Sequence, residues 1–343
     1  MPTQRVVVCG AGGFIGAHLA ERLKAEGAWV RGVDLRRSPY REPAWTRAFD
    51  DWIDGDLRSP EVATRALESV THVYQLAADM GGAGYLFGGE NDAAVMHNSA
   101  LVNLNVAHAA AAQPESPRVL FTSSACVYPQ ANQADPQNPQ CHEDSAYPAD
   151  PDSEYGWEKL FSERLFMAFA RNAGLRVRVV RLHNVFGPQG AWDNGREKAP
   201  AAICRKVIDA EEGGIVEIWG DGEQTRSFLY VDECVEGLLR IMASGAERPV
   251  NLGSEELISI NDLARMVAEI LGKLIRLKHV SGPQGVRGRT SDNTRLRATT
   301  GWEPTRSLRE GLERTLAWIA AERAAGRTDL HHHLDREAAA TVV

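Results

Sequence analysis

Positive charge is in deficit in this chain of 343 residues: 38 Lys and Arg stand against 46 Asp and Glu, a formal net charge of −8. A balance of that sign argues against a general nucleic-acid binder, although local basic clusters can still meet phosphate. Cysteine is scarce. The five present, Cys9, Cys126, Cys141, Cys204 and Cys234, are odd in number and form no C-x-x-C pair. No secretory leader is read ahead of the first strand, so reduced thiols in a cytoplasm are expected, not disulfides or a zinc site. No apolar run approaches the roughly 20 residues that a membrane helix needs, so no membrane partner is expected. Internal repeats and low-complexity tracts are lacking too. A charged share of 24% beside 43% apolar residues is that of a globular chain. The length allows about two domains of roughly 100–200 residues each.

What is present begins with β-branched runs. Arg5-Val-Val-Val-Cys-Gly10 reads as a strand, and Ala17 to Gly27 follows with the helical spacing of Leu19, Ala20 and Leu23. A second strand, Trp29 to Asp34, ends on a carboxylate, and further apolar runs recur at 71–76, 118–121 and 175–181 between helical stretches. That alternation predicts an α/β fold, a Rossmann-type doubly wound parallel sheet. After Arg181 the pattern changes to Gly/Pro-rich loops, an Ala-rich helix at 199–211, a returning segment at 227–239, and helices near 261–271 and 308–321. These pieces predict a smaller, discontinuous α/β lobe. The expected division is 1–182 with returning segments near 227–254 for the nucleotide-binding domain, then 183–226 and 255–325 for a substrate-binding lobe. Residues 326–343 read as a flexible tail; its His331, His332 and His333 have nothing else converging on them, so no metal is expected.

Gly10, Gly13 and Gly16, with Phe14 and Ile15 between them, lie where the first strand meets the first helix. Such a turn lets backbone N–H groups approach a pyrophosphate at a helix N-terminus. Asp34 follows about twenty residues on, placed to accept from adenosine ribose hydroxyls, which favours NAD. Arg36 and Arg37 stand beside it and keep a 2′-phosphate, hence NADP, open. Asp56 ends a short strand and reads equally as an adenine contact or a turn aspartate. Tyr155 and Lys159, four residues apart, project from one helical face: a phenol to exchange a proton with a carbinol, and an ammonium to lower its pKa. Ser123, Ser124 and Cys126 precede them in Phe121-Thr-Ser-Ser-Ala-Cys-Val-Tyr-Pro129.

With these motifs, and with Ala78-Asp-Met-Gly-Gly-Ala-Gly84, His183-Asn-Val-Phe-Gly-Pro188, Gly195-Arg-Glu-Lys-Ala-Pro200, Trp219 to Phe228 and Gly285-Val-Arg-Gly-Arg289, residues 5–320 resemble the extended short-chain dehydrogenase/reductase family. Within it they are most similar to the GDP-mannose 3,5-epimerase branch. The resemblance implies Tyr155 as redox acid/base with Lys159 and Ser124 beside it, and Cys126 with Lys198 acting on substrate carbons. It also implies Gly81, Gly82, Asn184, Glu197, Lys206, Gln224, Arg226 and Arg289 in a nucleotide-sugar site, and a homodimer through paired helices of the NAD domain. Chemistry supports the thiol's part. Once C4 is a ketone, the C–H bonds at C3 and C5 become acidic, and inversion needs a base on one face and an acid on the other. The cations near Cys126 are expected to lower its pKa, and burial to lower that of Lys198. The stretches 85–94 and 211–214 depart from the family pattern. The alternatives are therefore the same chemistry on an ADP- or GDP-heptose or another nucleotide hexose, or a plain nucleotide-sugar 4-epimerase.

Overall fold

A computed structural model describes residues 4–38, 40 and 47–327. The histidine run and nearly all of the expected tail lie outside the described residues. The strands are β1 (Arg5–Cys9), β2 (Trp29–Asp34), β3 (Asp51–Asp54), β4 (His72–Gln75), β5 (Arg118–Ser124), β6 (Arg176–Leu182), β7 (Val185–Phe186), β8 (Gly214–Trp219), β9 (Thr225–Ser227), β10 (Leu229–Tyr230), β11 (Val250–Leu252), β12 (Leu257–Ser259), β13 (Ile275–Val280) and β14 (Gly288–Arg289). The α-helices are α1 (Phe14–Ala25), α2 (Pro60–Leu67), α3 (Ala83–Leu86), α4 (Asp92–Ala111), α5 (Glu154–Ala173), α6 (Ala199–Asp209), α7 (Val231–Ala243), α8 (Ile260–Leu271), α9 (Thr294–Thr300) and α10 (Leu308–Ala324).

Seven strands form one parallel sheet in the order β11-β6-β5-β4-β1-β2-β3. An interior strand, β1, explains the two-sided architecture. Alternate residues of β1 face opposite ways, so Val6 and Val8 join the core that includes Leu19 and Leu23 of α1, while Val7 and Cys9 join the core that includes Ala63 of α2 and Val106 of α4. The apolar run is continuous because both faces are covered by helices. The order reverses at β1, where β4 lies on one side and β2 on the other, and it is outside the carboxyl ends of the strands at such a point that ligands bind in this architecture.

The chain beyond β6 leaves the sheet and returns to it. β11 pairs in parallel with β6, while β8 pairs with β13, and β12-β9-β14 make a separate three-stranded sheet. Helix α5, which carries Tyr155 and Lys159, starts at a cap in which Ser153 Oγ accepts from Gly156 N–H at 3.2 Å, and stops at Gly174 in the left-handed region. It is fastened to the sheet by a buried pair. Arg181 Nε and Nη2 each donate to Glu163 at 2.8 Å, and Ser123 Oγ donates to the same carboxylate at 2.6 Å. Removing one member of such a pair costs about 3–5 kcal/mol, because the other charge stays buried alone.

Candidate active site

At the nucleotide end, Gly10 N–H donates to Val33 O at 2.9 Å and Gly13 N–H to Gly10 O at 3.2 Å, which turns the chain into α1. Helix α1 has no side-chain cap at Gly13, so the first-turn N–H groups, those of Phe14 and Ile15 included, face outward as anion donors. The Phe14 side chain packs edge-on to His18, and Ile15 packs against the core, so only their backbone is left to face the turn. Asp34 Oδ2 accepts from Gly12 N–H at 2.9 Å, and a Cβ on Gly12 would stand 1.9 Å from Arg36 O. Burial raises the Asp34 carboxyl above the usual range, against the pull of Gly12 N–H and Arg36. Arg37 is drawn away to Asp54 at 3.4 Å and toward the Trp52 ring. This cradle fits a dinucleotide, and Asp34 at the end of β2 fits the ribose of NAD. Asp56 has a different partner: two of its contacts, at 2.8 and 2.6 Å, are to the Arg58 guanidinium, and Arg58 continues to Asn98 at 2.9 Å. Burial raises the Asp56 carboxyl and Arg58 lowers it, for a net fall.

The carboxyl end of β5 carries the candidate acid and base groups. Ser124 Oγ accepts from Cys126 N–H at 3.2 Å, and its hydroxyl also reaches the Tyr155 phenol. Cys126 and Tyr155 share one buried cluster with Leu86 and Val95. Lys159 Nζ donates to Thr122 O at 3.1 Å and lies 5.6 Å from the Tyr155 ring centre. Burial pushes Tyr155 upward, with Cys126 and Glu158 adding and Ser124 opposing, and burial pushes Lys159 downward. The thiol does not follow the sequence expectation. Burial first, then Asp152, push Cys126 up, and Arg289, Ser124 and Lys198 only partly offset them. The structure brings an unforeseen acid beside the thiol.

Lys198 occupies the N-cap of α6. Burial lowers its pKa, as expected; Cys126 opposes the fall and Arg289 adds to it. The positive end of a helix dipole also disfavours an ammonium at that place. The loop before it is clasped from the sheet side. Gly82, the cap of α3, passes so near that a Cβ on it would lie 2.2 Å from Glu197 O. Beside this contact Arg196 pairs with Asp79 at 3.5 Å and lies over the Tyr85 ring at 3.9 Å, while Tyr85 Oη donates to Asp79 at 2.8 Å. Gly81 makes room for the same tyrosine: a Cβ there would meet Tyr85 Cβ at 2.7 Å. Glu197 itself is held inside its loop, by Gly195 N–H at 2.6 Å and Arg205 at 3.1 Å.

The remaining substrate candidates spread over the smaller region. Asn184 adopts φ 39°, a conformation Asn tolerates better than most, and its Nδ2 donates to Ser227 O at 3.0 Å. Lys206 Nζ donates to Glu217 O at 2.8 Å and stands 6.0 Å from the Trp219 ring centre. Gln224 Nε2 donates to Trp219 O at 3.1 Å, and its buried Oε1 has no partner among the described residues. Among the described residues Arg226 donates to neutral carbonyls alone, those of Thr225, Gln284 and Val286. Burial, then Arg289, push its pKa down to about 9, the mark of a cation short of counter-charge. Arg289 is different: Nε donates to Gln133 Oε1 at 2.6 Å, Nη1 to Cys126 Sγ at 3.3 Å, and Nη2 to Asp152. Its guanidinium therefore faces the thiol and an aspartate. A cleft of about 330 Å³ opens beside this cluster, lined by Phe87, Gln130, Gln133, Asp152, Gly285 and Arg287 among others. Sequence reasoning missed Asp152 and Gln133. An aspartate next to a helix-capping serine looks like ordinary turn chemistry.

Comparison with known proteins fits this geometry. The sequence model of the NAD dependent epimerase/dehydratase family matches residues 6–253. GDP-mannose 3,5-epimerase of Arabidopsis thaliana is 42% identical over 315 residues, covering 92% of this chain and 82% of that protein. UDP-glucuronic acid decarboxylase 1 of Xenopus tropicalis is 28% identical over 326 residues, covering 93% of this chain and 73% of that protein. Among solved structures, MoeE5 in complex with UDP-glucose and NAD superposes with a TM-score of 0.75 at 28% identity, over 93% of this chain and 99% of that one. UDP-glucose 4-epimerase from Thermotoga maritima, at 24% identity and a TM-score of 0.79 over 93% of this chain and 100% of that one, shares the fold. The chain belongs to the NAD dependent epimerase/dehydratase family, as an isomerase on a Rossmann-type fold with NAD as its cofactor.

Proposed function

We propose that this epimerase acts on a nucleotide sugar, GDP-mannose or a close relative, and inverts carbons at C3, C5 or both through a transient C4 ketone. The observation that carries the reading is Cys126. A plain 4-epimerase returns hydride to C4 and needs no group able to move protons on carbon, whereas here a thiol and a second amine, Lys198, flank the phenol site. NAD, when bound, supplies the hydride acceptor and donor for C4. Tyr155 takes the C4 hydroxyl proton, with Ser124 steadying the phenol and the Lys159 ammonium favouring the phenolate. Cys126 and Lys198 then exchange protons at the carbons next to the ketone, from opposite faces. Arg226, whose hydrogen-bond partners among the described residues are neutral, suits a diphosphate, and Asn184, Lys206 and Gln224 bind around it. Gly81, Gly82 and Glu197 hold the loops against the sugar. In this reading the cleft lies between residues 1–182 with 227–254 and a lobe of 183–226 with 255–325.

The 42% identity to a GDP-mannose 3,5-epimerase favours that substrate over a heptose. Incubation with GDP-mannose in D2O is expected to place deuterium at C3 or C5 by NMR. Product formed with neither position labelled means a 4-epimerase, and labelling of ADP-heptose alone would reassign the sugar.

A homodimer is part of the proposal. Helices α4 and α5 pack together and leave Leu104, Trp157 and Phe161 exposed, the last at 48%. An apolar surface of this kind on paired helices suits a second copy. Light scattering should give twice the chain mass for the wild type and the monomer mass for Phe161→Glu; a monomeric wild type sinks the idea. All five cysteines are free thiols, which suits a reducing cytoplasm.

A further inference from the structure

Asp152 stands next to the cap of α5 and is only 2% exposed at its side chain, while its partner Arg289, at 6%, comes from β14. Ser153 Oγ donates to the other oxygen of the carboxylate, Oδ1, at 2.8 Å, so both oxygens are engaged. Arg289 in turn is fixed along its whole edge, by Gln133 at 2.6 Å, by Asp152 and by the Cys126 sulfur at 3.3 Å. A buried ion pair is costly to build and is weak evidence for stability, so its position against a thiol calls for another explanation.

We propose that Asp152 is a positioning residue of the proton-moving site: its carboxylate holds the Arg289 guanidinium against Cys126 Sγ and cancels most of that guanidinium's charge, so that Cys126 rests as the thiol and enters the reaction as the acid. The inference rests on the reading that Cys126 moves protons. In the transfer it describes, the S–H bond breaks as a C–H bond forms at the enolate carbon. The proton removed from the opposite face goes to the Lys198 amine. The thiolate left behind faces Arg289, and the ammonium on Lys198 balances its charge.

The groups facing the sulfur support this account from every side. Ser124 reaches it from the end of β5, Tyr155 and Lys159 from α5, Asp152 from the turn before α5, Lys198 from the start of α6, Arg226 from β9 and Arg289 from β14. Of these, Asp152 is the anion. Without it, Arg289, Arg226 and the Lys159 ammonium act on the sulfur unopposed, and a thiolate forms at lower pH.

The test is alkylation of the purified enzyme, without sugar nucleotide, by iodoacetamide between pH 6 and 10, followed at the Cys126 peptide by mass spectrometry. Asp152→Asn should move the midpoint to lower pH and raise the rate at pH 7 roughly tenfold, and Asp152→Glu should restore the wild-type midpoint. A structural role alone also lowers the midpoint, since loosening exposes the thiol, but only toward that of an ordinary cysteine, about 8.5; loss of the Asp152 charge carries it below that value, and a midpoint that stops there overturns the inference. An unchanged or higher midpoint in Asp152→Asn overturns the inference. Should the buried, unpaired Arg289 prevent that variant from folding, the double variant Asp152→Asn with Arg289→Gln carries neither charge. Its midpoint is expected at or above the wild-type value, and one below it overturns the inference equally. These readings need no substrate. Absence of deuterium exchange in the wild type would remove the proposed function, while a fixed midpoint in Asp152→Asn would remove only the role of Asp152.

Discussion

Cys126→Ala is expected to form the 4-keto sugar from GDP-mannose at near wild-type rate while losing deuterium incorporation at C3 and C5 by about 10²–10⁴-fold, the usual contribution of a positioned acid or base. The split follows from the site's layout. The phenol, its Ser124 partner and Lys159 stay in place when the sulfur goes, because Tyr155 is set by the cap of α5 and Lys159 by the Thr122 carbonyl. Borodeuteride trapping of the 4-keto sugar, run beside NMR of the product in D2O, reads both halves. Full epimerisation by the alanine variant would refute the assignment of the thiol and leave Lys198 or solvent as the proton source.

Tyr155→Phe should fail one step earlier. Without the phenol there is no group to take the C4 hydroxyl proton, so neither 4-keto sugar nor labelled product forms, with kcat lower by about 10²–10⁴-fold and KM nearly unchanged. The phenol is buried and its pKa is raised, so the free site holds it protonated through the neutral range. In the proposed reaction the Lys159 ammonium favours its loss of that proton, together with Ser124, which already opposes the rise. Trapped 4-keto sugar from the phenylalanine variant at wild-type level would exclude Tyr155 as that base.

Much of the frame was legible in the residues. The Val6-Val7-Val8 run, the glycine turn and Asp34 mark β1, α1 and the end of β2, since strand period and turn chemistry are local. β11 was legible only as part of a returning segment, and its pairing with β6 is decided by tertiary packing across about 70 residues. The site divides the same way. The spacing of Tyr155 and Lys159 on one helical face is local. The Asp152 to Arg289 contact spans 137 residues and joins two stretches that carry no mutual signal. The thiol's pKa was misjudged for the same reason. Nearby cations can be counted along a chain, but burial and the Asp152 carboxylate that outweigh them appear only once the chain has folded. For Arg289 the residue type is visible in the sequence, whereas its contacts with Gln133, Cys126 and Asp152 are not.

Gly156 lies one residue beyond Tyr155, and a Cβ there would stand 2.2 Å from Cys126 O. The helix that bears the phenol and the turn that bears the thiol therefore touch backbone to backbone, without side-chain cushioning. A shift of either carries the other with it. In the reaction proposed above, hydride removal at C4 and proton traffic at its neighbours would thus be geared together mechanically: the sugar could be re-aimed at one set of groups without disturbing the spacing of the other, and one rigid contact would keep two chemistries in step.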